Sequence, residues 1–533
     1  MKANEVLNLV LNHLLQITEI NPLFLLKICH LNHQFRLTYN LNFYWKKCFN
    51  QMMKVNYRFT KEIRINYAKV CFGLYQFKNR KRTTIPTPIE QRFWSVVIQD
   101  SIYIDPIKNI CNEMENLFLS RWSRTINMPD LLKSRSETYL AINQKPIGYL
   151  PDSIGNWKEM RQIDFNNNLL VRIPETIGFL TKLKYLNLGS NHLTFIPDSI
   201  QYLTLLETLS LDRNQFDTFP RSILLLKSLE GLSIDYNYLK SIPKDINRLT
   251  SLRYLQLNNN QIENIPNTIC KLHNLTSLNL KSNRLIRIPT DIGNLKSLET
   301  FDVNNNFLRT LPNSIVQCIH LQEFDVSFNQ LKKLPKFIGH LTNLVKFHAN
   351  HNQLRFLPVS LGNLSLTCLN LEDNSIQNFP KCSMNLISNL KILNLHLNQL
   401  SSMKFCYSLI HLTHLDIGRN QIEWMDSSIK NLSNLEYFNL SSNLIRSLPN
   451  SFHQLSNLIY LNLDNNFLKH LDPKFGSLTN LQTLKVQNNL LIDIPMSLKN
   501  CFQLRQLILN GNQFYSVDQE LFSHFRFLFS FTF

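Results

Sequence analysis

The stretch "LKYLNLGSNHLTFIPDSIQYL", residues 183–203, decides the fold, because its pattern recurs along most of the chain. The core of the pattern has the form LxxLxLxxN, and it is found sixteen times. Its asparagine falls at positions 168, 191, 214, 237, 260, 283, 306, 329, 352, 374, 398, 420, 443, 466, 489 and 512. A nearly fixed period of 23 residues predicts a solenoid, in which each turn of the chain stacks on the turn before it.

The first half of each repeat predicts a short strand. Leu183, Leu186 and Leu188 have the spacing of a buried strand face, and the residues between them are predicted to point outward. The amide of Asn191 can donate to and accept from backbone groups that would otherwise be buried without a hydrogen bond. Because one repeat cannot cover its own apolar side, the strands are expected to form one parallel sheet on the concave side of the solenoid.

The second half of the repeat, "FIPDSIQYL", predicts a turn and a return to the core. Pro197 marks the turn, and Asp198 or Ser199 is expected to cap it. Ile200 and Leu203 are expected to point back into the core.

These residues resemble the leucine-rich repeat family, in the 23-residue subtype whose second half reads "IPxxIGxLxxL". The resemblance covers residues 137–533 and implies an α/β fold, a solenoid with a curved parallel sheet, made of a degenerate capping repeat and 16 regular repeats. In the capping repeat, Lys145 stands where the asparagine belongs. Leu528, Phe531 and Phe533 predict the start of one further strand.

The repeat length varies in one part of the array. The spacing is 22, 24 and 22 residues between Asn352, Asn374, Asn398 and Asn420. Lys404 and Asp426 replace the usual proline of the second half in two of these repeats. Since solenoids absorb changes of length in loops, the strands are expected to stay in register while the convex side bulges near residues 377–408.

The charge of the chain is positive but unevenly spread. The formal net charge is +18 at pH 7, of which residues 1–136 carry +11 and the remaining 397 residues only +7. The predicted concave face is acidic in its amino-terminal half, where phosphate would be repelled, so nucleic acid is not expected as the ligand. The acidic residues are Asp164, Glu207, Asp212, Glu230, Asp235, Glu299, Asp302, Glu323 and Asp325.

Composition also predicts the compartment. No apolar run reaches the ~18 residues of a membrane span, and Asn8, Asn12 and His13 interrupt the stretch where a signal peptide would be apolar. The ten cysteines form no CxxC pair, which favours buried free thiols in a reducing compartment. The sequence therefore predicts a cytoplasmic protein without membrane association, or one in a host cytosol if the chain is a secreted effector.

Residues 1–57 predict a small helical module, and residues 58–136 a helical connecting region. The module resembles the F-box, which docks onto the Skp-family adaptor of SCF-type, cullin-based ubiquitin ligases. Ala3 and Asn4 depart from the Leu-Pro that opens the family motif. An unrelated helical cap of the solenoid is the alternative. The residues that the resemblance places against the adaptor are Leu7, Leu11, Leu14, Ile28 and Trp45.

The sequence predicts a protein without catalytic residues and without a cofactor. It contains no P-loop, GxSxG or HExxH motif, and glycine is scarce. Cys406, near His411 and His414, is the best nucleophile arrangement, but core packing explains that cysteine better. The group of Cys29, His30 and His33 has too few ligands for zinc. An enzyme with its active site in residues 58–136 is a further hypothesis that no residue supports.

The predicted binding surface is the concave face, because outward residues at equal positions of adjacent repeats form columns. Exposed aromatic side chains near histidine and arginine fit the composition of protein-binding hot spots. The candidate residues are Tyr185, Tyr236, Tyr254, Phe328, Lys346, His348, His351, Arg419, Tyr437 and Tyr460.

These patterns predict an adaptor that holds a target protein on the concave face and brings it to a ubiquitin ligase through the F-box-like module. The alternative is a non-catalytic interaction scaffold, for example in small-GTPase signalling, a role that the leucine-rich repeat resemblance also implies.

Overall fold

The structure, a computed structural model, describes residues 138–145, 147–380 and 389–514 and the backbone of residues 530–532. In this part of the chain, 18 strands of three residues recur at nearly regular intervals. They are β1 Tyr139–Ala141, β2 Gln162–Asp164, β3 Tyr185–Asn187, β4 Thr208–Ser210, β5 Gly231–Ser233, β6 Tyr254–Gln256, β7 Ser277–Asn279, β8 Thr300–Asp302, β9 Glu323–Asp325, β10 Lys346–His348, β11 Cys368–Asn370, β12 Ile392–Asn394, β13 His414–Asp416, β14 Tyr437–Asn439, β15 Tyr460–Asn462, β16 Thr483–Lys485, β17 Gln506–Ile508 and β18 Ser530–Thr532.

The described chain divides into two compact units. One contains the chain up to residue 183 together with residues 187–200, and the other contains residues 184–186 and the chain from residue 201 onward. In the first unit, β1 pairs with β2 in parallel, with Leu140 opposite Ile163.

In the second unit, β4 to β18 follow one another in chain order, and each strand is parallel to the next. The predicted solenoid of parallel strands is therefore confirmed. The last pair joins β17 to β18, where the phenylalanine pattern predicts a further strand.

The core lies directly under the strands, where the central residue of each strand is buried. Leu186, Leu255 and Leu461 have no measurable exposure, and neither do most of the leucines at the first and sixth positions of the repeats. In the middle of the array three central residues are phenylalanines, Phe301, Phe324 and Phe347, whose rings stack at 5.6 and 5.8 Å between successive centroids. Burial of this continuous apolar column is the main stabilising contribution to the stack.

The ladder of asparagines forms as the sequence predicts. Nδ2 of Asn260 donates to the carbonyl oxygens of Ile234 at 2.9 Å and of Leu257 at 3.1 Å, and its Oδ1 accepts from the backbone N–H of Leu239 at 2.9 Å. Each amide thus joins its own turn to the turn before it and pairs backbone groups that water cannot reach. The same pattern is seen at Asn443 near the other end of the array.

The second half of most repeats ends in a short 3₁₀ helix. The described helices are Asp152–Asn156, Glu175–Phe179, Asp198–Tyr202, Arg221–Leu225, Ile246–Arg248, Asn267–Lys271, Ile292–Asn294, Asn313–Gln317, Ile338–His340, Val359–Asn363, Lys404–Ser408, Ser427–Leu432, Phe452–Gln454, Phe475–Ser477 and Met496–Asn500. None of these described helices is longer than six residues, so none of them could cross a membrane.

The prediction that Asp198 or Ser199 caps this helix is wrong. The helix begins at Asp198, directly after Pro197, and the N–H of Ile200 donates to the carbonyl of Pro197 at 3.2 Å. At the equivalent place in other repeats, as at Pro174 with φ −70° and ψ 151°, the residue before the helix is a proline whose side chain makes no capping bond. Proline is suited to this place because its ring fixes φ and its missing N–H has no partner to lose.

The strands stay in register through the part of the array with variable spacing. Lys346 pairs with Cys368, Cys368 with Ile392 and Ile392 with His414, so the predicted continuity of the sheet is confirmed. The predicted bulge overlaps residues 381–388, which lie outside the described residues, and it stays a prediction.

One of the two predicted proline replacements is misplaced. Asp426 precedes its helix and caps it, because its side chain accepts from the N–H of Ser428 at 2.8 Å. In the other repeat Met403 rather than Lys404 precedes the helix. That repeat has one residue fewer between Asn398 and its helix than the repeat of Asn420 has, so Lys404 is the first residue of the helix.

In the described chain, the residue before each ladder asparagine has a left-handed backbone, as does Gln144 before Lys145. At these sixteen non-glycine positions φ is between 50° and 55°. Most of these positions hold Asn, Ser, Asp or Gln, but Tyr236, Phe328 and Leu397 occupy three of them. A bulky side chain in this conformation costs about 1 kcal/mol. The fold thus requires the left-handed conformation at this position, whichever side chain the position holds.

Candidate protein-binding surface

The outward side chains of the strands form a surface that we call the strand face. From β4 onward, the first residue of each strand points outward beside the first residue of the next, as the pairing of Tyr437 with Tyr460 shows. Because backbone pairing brings these residues to about 4.8 Å, side chains in one column can contact each other directly.

Three outward residues of β13 to β15 form what we call the aromatic ladder: His414, Tyr437 and Tyr460. The rings of His414 and Tyr437 stack with centroids 5.9 Å apart, and those of Tyr437 and Tyr460 with centroids 4.6 Å apart and planes within 5°. Nζ of Lys485 lies 5.6 Å from the centroid of Tyr460 and extends the ladder onto β16. Ring stacking fixes these side chains before any partner arrives, which lowers the entropy cost of binding.

Tyr437 of the ladder remains neutral at physiological pH. Burial raises the pKa of Tyr437 well above its usual range, and the nearby Asp416 and Tyr460 raise it further. Both phenols are half-buried, so the ladder presents flat apolar rings with hydroxyl groups that can donate to a partner.

A second cluster surrounds Phe328 in the middle of the array. The ring of Phe328 stacks on His351 with centroids 4.0 Å apart, and Nδ1 of His351 lies 2.7 Å from Oδ2 of Asp373. We call these three residues the Phe328 cluster. On the paired strands β9 and β10, Nζ of Lys346 lies 2.5 Å from Oε1 of Glu323, while His348 is half-buried on the same strand as Lys346.

The other predicted residues are more dispersed. Tyr236 is exposed, and the guanidinium of Arg213 lies 4.3 Å from its ring centroid, which is a cation–π contact. Tyr254 is exposed between Gly231 and Ser277, which have no large side chain. Tyr185 is half-buried on β3, and Arg419 is exposed after β13.

The structure therefore brings together only some of the predicted residues. Four of the predicted tyrosines are the first residues of strands: Tyr185, Tyr254, Tyr437 and Tyr460. Tyr437 and Tyr460 are in contact, whereas Tyr254 lies on β6, eight strands before Tyr437. Sequence reasoning missed His414, although it occupies the same column one repeat earlier. The predicted adaptor-binding residues Leu7, Leu11, Leu14, Ile28 and Trp45 lie outside the described residues.

The acidic side chains of the strand face lie where the sequence places them. Burial raises the pKa of Asp302 to about 6, the adjacent Asp325 raises it further, and the bond from the N–H of Asn304 at 2.9 Å opposes both effects. Burial likewise raises the pKa of Asp235 to about 6. A face that carries adjacent carboxylates disfavours nucleic acid.

Comparisons with known proteins agree with this geometry. Models of a leucine-rich repeat region match residues 175–264, 229–306 and 258–349, and a leucine rich repeat model matches residues 410–468. A leucine-rich repeat protein of Leptospira interrogans has a solved structure with 30% sequence identity, and the match covers 76% of this chain and 98% of that chain with a TM-score of 0.65. The chain belongs to the leucine-rich repeat family.

Two plant receptors of known structure also resemble this leucine-rich repeat protein. The plant peptide hormone receptor RGFR1, solved in complex with RGF2, shares 29% identity over 74% of this chain and 64% of that chain, with a TM-score of 0.63. The Arabidopsis receptor kinase HAESA, solved with the peptide hormone IDA and the co-receptor SERK1, shares 25% identity over 70% of this chain and 73% of that chain, with a TM-score of 0.51. No curated protein sequence matches significantly.

The best nucleophile arrangement of this leucine-rich repeat protein is part of its core. Cys406 has no measurable exposure, and burial raises the pKa of its thiol well above the usual range. The neutral thiol is a poor nucleophile, so core packing explains this residue. In the described part of the chain, no three His, Cys, Asp or Glu side chains form a group that could hold a metal ion.

Proposed function

We propose that this leucine-rich repeat protein is a non-catalytic adaptor that captures a target protein on its strand face and brings it to an SCF-type ubiquitin ligase. The aromatic ladder carries the first part of the proposal. Ordered tyrosines beside a lysine match the composition of protein-binding hot spots, where loss of a central anchor costs about 2 kcal/mol or more.

Relatives with similar folds support a protein or peptide as the ligand. RGFR1 and HAESA were both solved in complex with peptide hormones. A solenoid suits this task because its repeats add exposed positions without changing the backbone, so a long segment of a partner can be read by several strands at once.

The ligase part of the proposal depends on residues 1–57 and their resemblance to the F-box. An adaptor of this kind increases the local concentration of the target beside the ligase and performs no chemistry itself. The 23-residue subtype of the repeats and a cytoplasmic site of action belong to the same proposal.

Binding of the full chain to a purified Skp-family protein tests the ligase part. We expect wild type to bind, and both Leu11→Asp and Trp45→Ala to weaken binding about tenfold or more, because each removes an apolar anchor. The variant Tyr437→Ala plus Tyr460→Ala is the matched control, since it alters only the strand face and should bind the Skp-family protein as wild type does.

Absence of Skp binding by wild type would contradict the adaptor role. If the strand face still captured a protein in that case, the alternative of a plain interaction scaffold would stand. The two parts of the proposal can therefore fail separately.

A further inference from the structure

A strip of basic side chains follows the strands β7 to β10. After the ladder asparagine of each of these repeats, six residues lead toward the 3₁₀ helix: residues 284–289, 307–312, 330–335 and 353–358. These segments contain six arginines and lysines and no aspartate or glutamate. The six residues, which we call the basic strip, are Arg284, Arg287, Arg309, Lys332, Lys333 and Arg355.

Backbone hydrogen bonds place the four segments next to one another. The N–H of Phe307 donates to the carbonyl of Leu285 at 2.9 Å, and the N–H groups of Gln330 and Gln353 donate to the carbonyls of Leu308 and Leu331 at 2.8 Å. Hydrogen-bonded segments lie about 4.8 Å apart, so the strip extends over roughly 15 Å. An extended peptide of about four or five residues has this length.

The charges of the strip are not neutralised by neighbours. All six side chains are exposed, and within the described residues none of them lies in an ion pair. Equivalent segments elsewhere differ in charge: residues 215–220 contain Asp217, residues 261–266 contain Glu263, and neither segment contains a basic residue. Like charges held at this spacing repel one another, and an anionic partner would remove that repulsion.

The surroundings of the strip indicate which anion fits. Phe356 lies within the last segment and is 69% exposed, and Phe307 in the second segment is 49% exposed. The strands of the same repeats carry Asp302 and Asp325, and Glu299 directly precedes β8. These acids disfavour a nucleic acid strand, which is charged at every residue, more than a peptide, which can place neutral side chains opposite them.

We propose that the basic strip, together with Phe356, is a second binding site of this protein and takes an acidic segment of a polypeptide that also carries apolar side chains. The site is separate from the aromatic ladder and does not depend on the ligase role. Arginine suits it because the guanidinium can bind a carboxylate with two parallel hydrogen bonds.

Fluorescence anisotropy of the full chain tests the proposal with a short labelled peptide of glutamate and phenylalanine at about 0.1 M salt, where long-range attraction is partly screened. The variant is Arg309→Glu plus Lys332→Glu. Arg446→Glu plus Lys469→Glu is the matched control, because these residues hold the same two positions in two other consecutive repeats. All four side chains are exposed, and circular dichroism checks that both variants are folded.

We expect the strip variant to weaken peptide binding about tenfold or more, and the control to change it less than about twofold. Equal losses in the two variants would overturn the proposal, because the net charge of +18 would then account for the binding. No binding by wild type, or tighter and equally strip-dependent binding of an oligothymidylate of the same charge, would overturn it as well.

Discussion

On β13 to β15 the outward column holds His414, Tyr437 and Tyr460, whereas the same column on β8 to β10 holds Thr300, Glu323 and Lys346. The first set forms stacked rings, and the second contains an ion pair between Glu323 and Lys346. We call these two parts of the strand face the aromatic region and the charged region.

Beneath this difference the two regions are built alike. Phe324 and Phe438 have no measurable exposure under their strands, and Asn329 and Asn443 donate to the same three carbonyl positions. The inward residues thus determine the backbone conformation, and the outward residues can vary and determine which ligand binds. One scaffold therefore offers two chemically distinct surfaces.

The largest expected effect concerns what the regions share. Asn306→Ala in the charged region and Asn443→Ala in the aromatic region should each lower the free energy of unfolding by about 2–3 kcal/mol, because each change leaves several buried backbone groups without partners. Urea unfolding followed by circular dichroism measures both. If only one of the two variants had a lower free energy of unfolding, the claim that the scaffold is the same in both regions would be wrong.

A smaller effect should come from one carboxyl group of the charged region, that of Asp302. The pKa of Asp302 is raised to about 6, so the folded protein holds a proton there that the unfolded chain has lost. Folding stability should therefore fall as pH rises from about 4 to about 6. Asp302→Asn keeps the bond from the Asn304 N–H and should remove this loss, a gain of about 1 kcal/mol at pH 7.

Thermal unfolding of wild type and variant between pH 4 and pH 7 checks this sign. Glu299→Gln is the control. It removes one negative charge from a side chain that is exposed, so it tests the effect of charge without burial. A stability difference between Asp302→Asn and wild type that does not grow with pH would show that the carboxyl group is not responsible.

The smallest effect distinguishes aromatic residues in the two regions. Phe328 has a left-handed φ of 52°, so Phe328→Asn relieves strain while it loses the stack on His351. We expect the free energy of unfolding to stay level or rise by less than about 1 kcal/mol. Tyr460→Ala loses the stack on Tyr437 without any relief of strain, so it should lower the free energy of unfolding by about 1 kcal/mol. The same sign in both variants would contradict this comparison.

The sequence predicts the parts of the molecule that repeat. The burial of Leu186 and the backbone hydrogen bonds of Asn191 are predicted correctly. Both residue types recur in most repeats, and a residue type that recurs at one position indicates the environment of that position. Strand register also predicts that Tyr437 lies beside Tyr460, since pairing by position follows directly from the period.

Features that do not affect the hydrophobic pattern are harder to predict. The left-handed backbone at Phe328 leaves no trace in hydrophobic periodicity, although its position before the asparagine marks it once the fold is known. The raised pKa of Asp302 depends mainly on burial, which the repeat pattern does not predict for an outward side chain. The misplaced Lys404 shows that a deleted residue can be assigned to the wrong part of a repeat.

Capture of a target by the aromatic ladder is the central claim, and an affinity measurement on the full chain tests it most directly. Photo-crosslinking from position 437 in cells first identifies the protein that contacts the strand face. Its affinity is then measured for wild type, for Tyr437→Ala plus Tyr460→Ala, and for Met496→Ala plus Phe502→Ala, which removes exposed apolar side chains at the 3₁₀ helix Met496–Asn500.

We predict that the strand-face variant binds the target about tenfold or more weakly, with unchanged circular dichroism, and that the helix-side variant binds as wild type does. Wild-type affinity in the strand-face variant, together with a loss in the helix-side variant, would contradict the account and place the binding surface on the helices instead of the strands.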